Sequence, residues 1–205
     1  MLKPIGNTNL FRLAIQKVKD SGIPLENFYV SVMEPELLEA AIDERVNIFE
    51  RTKESAISES KVGTMYEWYN LLPYEHVMLI NPCLPFLKPK TIRSFYDTFM
   101  VTAADSMFAV TEKKNYYWNA NYELVTPWPE GQELLNTKEV EHTYEAAHAL
   151  YGSRMDIIGE GKFMNHPFVR GNPILFPIAE EEAFDIDYPW QFELARGRYE
   201  YSTNR

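Results

Sequence analysis

The stretch Asn27–Glu50 reads NFYVSVMEPELLEAAIDERVNIFE. Its first part, NFYVSV, is aromatic and β-branched, the composition of a short buried strand. EPELLEAAIDE follows, with Pro35 near a helix start and Leu37, Leu38, Ala41 and Ile42 on one side. VNIFE is a second short strand. A strand, a helix and a strand in close succession predict parallel pairing through a right-handed crossover.

The same alternation extends to both sides. Upstream, NLFRLAIQKVKDSG carries Leu10, Leu13, Ala14 and Val18 at helical spacing, with Asn9 to cap the start and Gly22 to end it. Downstream, ERTKESAISESKVGT is polar and reads as a loop. A helix then passes through Val62, Met65, Tyr66 and Tyr69. HVMLINP is a strongly apolar strand, expected to be buried on both faces. CLPFLKP is a proline-punctuated loop, and KTIRSFYDTFM a helix with Ile92, Phe95, Tyr96 and Phe99 aligned. Beyond residue 105 the pattern changes. DSMFAVTEKKNYYWN, YELV and NPILFPI read as strands with few helices between them, an antiparallel edge or flap on a parallel α/β sheet. One feature breaks the rule: the chain as given opens on a short loop and a helix, and if Met1 is the true start the sheet lacks the strand that normally feeds that helix.

Composition bounds the function. The 205 residues suit one domain, and 45% hydrophobic with 14% aromatic content supplies a core. A formal net charge of −10 argues against a general nucleic-acid or anionic-membrane partner, since both need a basic footprint. A single cysteine, Cys83, rules out an internal disulfide and fits a reducing cytoplasm. MLKPIGNTNLF has no apolar core of a signal peptide, and no apolar run approaches the ~20 residues of a membrane helix.

In open α/β sheets ligands bind beyond the C-terminal ends of the strands. SVMEP, NPCLPFL and DID occupy such ends. Asn81 can offer an amide to a base or ribose, or can simply form the turn before Pro82. In AFDIDYPWQFELA, extended backbone puts Asp185 and Asp187 on one face and Ile186 on the other. Two such carboxylates suit Mg²⁺, which binds hard oxygens and shares phosphate oxygens. The other reading is that Asp187 caps the following helix and Asp185 is solvated. His76, His142, His148 and His166 show no metal-ligand spacing. His142 and His148 could line a pocket, although core or surface roles suit them as well. Neither GxxxxGK[ST] nor GxGxxG occurs.

The ordered segments resemble the acylneuraminate cytidylyltransferases, which make CMP-activated acidic sugars. LKPIGNTNLFRLAIQKVKDSG is similar to the segment after that family's nucleotide loop. NFYVSV with ELLEAAID looks like its second strand and helix. VMLINPCLPFL, IRSFYDTF and ADSMFAVTE look like its LLQPTSPLR strand and loop, next helix and following strand. AFDIDYPWQFELA is similar to its terminal sIDIDtpeDf segment. The resemblance covers nearly the whole chain. It implies a three-layer, mostly parallel, Rossmann-like α/β fold over 1–205, with a small antiparallel flap around 113–170 and the first strand missing. It further implies a cytoplasmic homodimer that joins CTP to an acidic 2-keto sugar with Mg²⁺, giving CMP-sugar and pyrophosphate. Asp185 and Asp187 would be the catalytic and metal-binding pair, and Lys3, Arg51 and Asn81 nucleotide-binding residues. Several positions depart from the family. The loop that cradles the triphosphate is absent ahead of Lys3. SVM, with Met33, stands where STD is usual, NPCLP replaces QPTSP at Cys83 and Leu84, and AISES replaces ASDTA. Either a longer reading frame supplies the loop or the protein has lost it, and the chain without it is expected to turn over weakly or not at all. Two other functions fit the sequence: a non-catalytic binding or assembly module on the same scaffold, and a nucleotide-sugar glycosyltransferase, since D-x-D pairs also serve there.

Overall fold

The computed structural model describes residues 1–57, 61–102, 104–163 and 173–203. A two-residue hairpin, β1 (Pro4–Ile5) and β2 (Thr8–Asn9), leads into α1 (Leu10–Ser21). The Asn9 side chain accepts from the Arg12 N–H, and Gly22 ends the helix at φ 72, a left-handed conformation open to glycine. Then come β3 (Tyr29–Val32), α2 (Pro35–Asp43) and β4 (Asn47–Glu50), with β3 and β4 parallel as the opening stretch predicts. Short helices α3 (Lys53–Ile57) and α4 (Val62–Met65) precede β5 (His76–Ile80) and α5 (Pro89–Val101). The chain continues through β6 (Ser106–Lys113), β7 (Thr143–Arg154), α6 (Asp156–Gly159), β8 (Ile174–Ile178) and α7 (Pro189–Thr203).

The four-stranded sheet has the order β5-β7-β6-β8. β7 is antiparallel to both neighbours while β6 and β8 are parallel, so β5, β6 and β8 run one way and β7 alone runs back. Alternate residues face two helical layers. Met78, Ile80, Met107 and Ala109 pack beneath Ile92, Phe95 and Phe99 of α5. On the opposite face Val77 and Leu79 meet Trp68, Met155 and Ile158. α1 and α2 cover β3 and β4 through Phe11, Ile15, Ala40 and Ala41. This is the three-layer, mostly parallel α/β architecture expected. No helix among the described residues is long and apolar enough to cross a membrane.

Local departures have physical causes. The polar segment read as a loop contains α3, because the Thr52 hydroxyl accepts the Ser55 N–H at 3.1 Å and is itself fixed by Glu67. NYYWN and YELV are not strands beyond one bridge between Trp118 and Leu124, since the Asn119 carboxamide oxygen accepts the N–H groups of Asn121 and Glu123 and folds the chain into a turn. The expected 113–170 flap divides. Residues 114–142 loop out, 143–154 return as the central strand β7, and 164–170, with His166, lie outside the described residues. β5 is half-buried rather than enclosed, because among the described residues only β7 pairs with it.

One core group makes stability depend on pH. The buried Lys17 ammonium donates to the Leu84 carbonyl at 2.6 Å. Burial lowers its pKa from 10.5 to about 7, against the opposing pull of the Glu182 carboxylate. Between those two values the unfolded chain holds a proton that the folded chain has released, so stability rises with pH across that window. The limiting slope is ~1.4 kcal/mol per pH unit. The melting temperature of the native protein minus that of Lys17→Met is therefore expected to climb from pH 7 to 9. A flat difference would contradict the buried ammonium.

Candidate functional site

The C-terminal end of β5 meets the segment before α7. Asn81 extends the sheet pairing by one residue, its N–H donating to the Ala149 carbonyl at 2.9 Å. Its side-chain oxygen accepts the Cys83 N–H at 2.9 Å, which forms the turn. Its amide nitrogen donates to the His148 carbonyl at 2.9 Å and to Asp185 Oδ2 at 3.1 Å. Asn81 thus serves as turn former and also holds a carboxylate. The Ile186 N–H donates to the Cys83 carbonyl at 3.2 Å and ties the Asp185 backbone to the same loop.

Asp185 Oδ1 is buried with no hydrogen-bond partner among the described residues. Burial raises the Asp185 pKa, the nearby Asp187 charge raises it further, and the Asn81 amide opposes both. A carboxylate so placed gains from a cation. Asp187 is exposed. The N–H groups of Asp187 and Tyr188 donate to Gln191 Oε1 at 2.8 and 2.7 Å, so a glutamine side chain covers the start of α7. Among the described residues no group of three or more His, Cys, Asp and Glu side chains could hold a metal ion.

His148, one of the two histidines read from the sequence as able to line a pocket, stands at this rim. Between the pairs Phe108–Tyr151 and Val110–Ala146 the register shifts, because β7 carries extra residues there. This bulge pushes His148 out at φ 49, and its Nδ1 lies 2.6 Å from the Tyr151 hydroxyl. Burial, then the charges at Tyr66 and Asp185, push the Tyr151 phenol up to about 12. Burial likewise pushes the Cys83 thiol up, with Asp185 adding to it.

The two basic residues singled out from the sequence lie on other partners. Lys3 pairs with Glu193 of α7 at 2.7 Å, its ammonium 4.4 Å above the Phe192 ring. Arg51 donates to the Ser55 hydroxyl at 3.1 Å and to the Ser55 and Met65 carbonyls at 2.6 and 3.2 Å. Arg51 also lines a cavity of about 740 Å³ between β3 and β5, whose wall does not include Asp185 or Asp187. The structure therefore brings Asn81, Asp185 and His148 together with Asp187 in electrostatic range, and engages Lys3 and Arg51 elsewhere.

No family model and no curated protein matches the chain. Solved structures do. A CMP:2-keto-3-deoxy-manno-octonic acid synthetase complexed with CTP superposes with a TM-score of 0.71 at 11% identity, covering 98% of this chain and 91% of that one. A 4-diphosphocytidyl-2C-methyl-D-erythritol synthase from Anaerococcus prevotii gives 0.66 at 8% identity, over 96% and 88%. A putative glucose-1-phosphate thymidylyltransferase from Bacillus anthracis gives 0.62 at 12% identity, over 97% and 85%. The chain has the fold that these nucleotidyltransferase structures share.

Proposed function

We propose that the protein is a nucleotidyltransferase, and within that class a cytidylyltransferase that joins CTP to an acidic 2-keto sugar. The sugar hydroxyl attacks the α-phosphorus, the bond to the bridging oxygen breaks and pyrophosphate leaves. Mg²⁺ bound by Asp185 and Asp187 would offset the charge on the phosphate oxygens. The observation that carries this reading is the buried, unpartnered Oδ1 of Asp185 at the C-terminal end of β5, where open α/β sheets bind ligands. Asn81 fixes the other oxygen, so the carboxylate is held ready for a cation. The segment 114–142 exposes Trp118, Tyr122, Trp128, Leu134 and Leu135, an apolar surface that supports a homodimer.

Thermal shift tests the nucleotide. CTP with Mg²⁺ is expected to stabilise the fold, by about 2.7 kcal/mol at a hundredfold excess over Kd. CTP without Mg²⁺ should give a smaller shift and UDP-sugars none. No shift with CTP and Mg²⁺, or an equal one with a UDP-sugar, would sink the cytidylyl reading. A second reading, a non-catalytic module on this scaffold, draws support from Lys3 and Arg51, whose charges are both engaged by protein groups. It requires the CTP shift without pyrophosphate release on addition of 2-keto sugar acids.

A further inference from the structure

The loop between β5 and α5 carries Pro82 and Pro85 and runs into Pro89, so it is short of N–H groups with which to knit itself together. Its position is set from outside. The segment 182–187 runs beside it in the opposite direction and is tied to it at both ends. At one end Asn81 donates to Asp185, and the Ile186 N–H to the Cys83 carbonyl. Between the ends the Phe86 ring meets Phe184 at 5.8 Å between centroids. At the other end the Lys88 N–H donates to Glu182 Oε2 at 3.0 Å, and the Lys88 ammonium lies 3.4 Å from Oε1. Lys17 of α1 stands under the middle of the loop. Its ammonium donates to the Leu84 carbonyl at 2.6 Å, closer than the Leu87 N–H, which reaches that carbonyl at 3.4 Å. Lys17 is 8% exposed and Glu182 4%, so this clasp holds two buried groups of opposite charge.

Stability alone does not account for them. A buried charged pair replaced by apolar side chains of similar volume often leaves a protein as stable or more so. What Lys17 supplies is a fixed donor at the residue next to Cys83. The Cys83 carbonyl in turn holds the Ile186 N–H, between the two aspartates. The donor is fixed because α1 is itself anchored by Phe11, Ile15 and Val18, all buried. We propose that Lys17 and Glu182 are positioning residues for Asp185. Lys17 props the Leu84 carbonyl from α1, Glu182 clamps the far end of the loop at Lys88, and together they hold the Cys83 carbonyl where it fixes the Asp185 backbone. Neither side chain touches a nucleotide or a cation; both act through the loop. That the positioned carboxylate serves a cation rests on the reading under Proposed function. The clasp itself does not. Partners of this indirect kind orient a ligating carboxylate and so set its affinity for a metal.

Two variants test the clasp. Lys17→Met keeps an unbranched stem and removes the donor; Glu182→Ala removes the acceptor of the Lys88 N–H. Amide exchange in the protein without metal or nucleotide is the first readout. In each variant the Ile186 amide is expected to exchange ~10-fold faster relative to the amides of Met107, Phe108 and Ala109. Those three lie on β6 between β7 and β8 and report the fold as a whole. A substitution that merely weakens the fold speeds both sets alike. An unchanged ratio in either folded variant would overturn the proposal, and Glu182→Ala decides it alone where Lys17→Met does not fold. The second readout is the Mg²⁺ concentration that gives half of the CTP thermal shift, expected to rise ~10-fold in both variants. A loosened Ile186 amide with an unchanged Mg²⁺ midpoint would leave Lys17 and Glu182 as structural props and overturn it as well. A native protein that shows no CTP shift at all would sink the nucleotide reading, while the exchange ratio still decides whether the two residues position Asp185.

Discussion

Asp185→Asn is expected to abolish the Mg²⁺-dependent CTP shift and to lower pyrophosphate release by about 10²–10³-fold, while making the metal-free protein more heat-stable at pH 7. The amide keeps an oxygen for the Asn81 donor, so the loop geometry is preserved. What it loses is the charge that a cation needs. The stability gain follows from the raised pKa of the native carboxyl, set by burial and then by Asp187. A group whose folded pKa lies above its unfolded value holds its proton more tightly when folded. Its contribution is fully present below the unfolded value of 3.8 and is lost as pH rises through the folded one. At pH above the folded value the native protein therefore carries the cost of an ionised, half-buried carboxylate and the variant does not. The difference in melting temperature between the two should shrink as pH falls toward 3.8. A variant that is less stable at every pH, with its CTP response intact, would make Asp185 a structural residue only. A functional group held at a cost to stability is what a binding site requires.

The parts of the fold legible in the sequence are those fixed by neighbours along the chain. α1 is bounded by its own cap at Asn9 and its own stop at Gly22, both local chemistry. β3, α2 and β4 follow from a switch between two side-chain periods. β7 was not legible: EAAHAL is rich in alanine, a helix former, and becomes a strand because β5 and β6 flank it on both sides. Pairing with residues thirty or more positions away overrides local preference there. The contact between Asn81 and Asp185 spans 104 positions, and the sequence approached it only through the rule that strand ends gather ligands. His148 was named with His142 as able to line a pocket, but the sequence could not choose between that and a core or surface role, because its exposure depends on a register shift that leaves no periodic trace. Lys3 and Arg51 entered as nucleotide-binding residues through the family resemblance, and a basic residue carries no mark of its partner. Glu193, the partner of Lys3, lies 190 positions away. β5, an apolar strand expected to be enclosed, is half-buried because among the described residues it pairs with β7 alone, a long-range pairing that its own composition does not reveal.

Phe95→Ala is expected to cost about 3–5 kcal/mol and to lower the melting temperature by about 6–20 °C. Phe95 is fully buried at the centre of the largest core cluster, on the face of α5 that meets the sheet. Its ring stands edge-on to Phe176 of β8 at 5.2 Å between centroids and beside Phe99 at 6.5 Å. Neither neighbour can slide into the space. Phe176 is held by the pairing of β8 with β6. Phe99 lies against Gly152, where an added Cβ would come within 2.9 Å of the ring, so its position is set by the bare backbone of β7. The hole therefore persists, and the lost contacts add to the lost transfer energy. The expected cost is a large share of the ~5–15 kcal/mol that holds a domain folded. It falls on a sheet in which, among the described residues, β5 pairs on one side only. Met100→Ala, one residue beyond Phe99 and 55% exposed, serves as the control and should stay within about 0.5 kcal/mol of the native protein. Urea denaturation separates the outcomes, because a cavity lowers the midpoint and leaves the slope unchanged. Equal midpoints for Phe95→Ala and Met100→Ala would mean that α5 does not rest on the sheet through Phe95, and the packing that holds β5 and the Asn81 loop in place would need another origin.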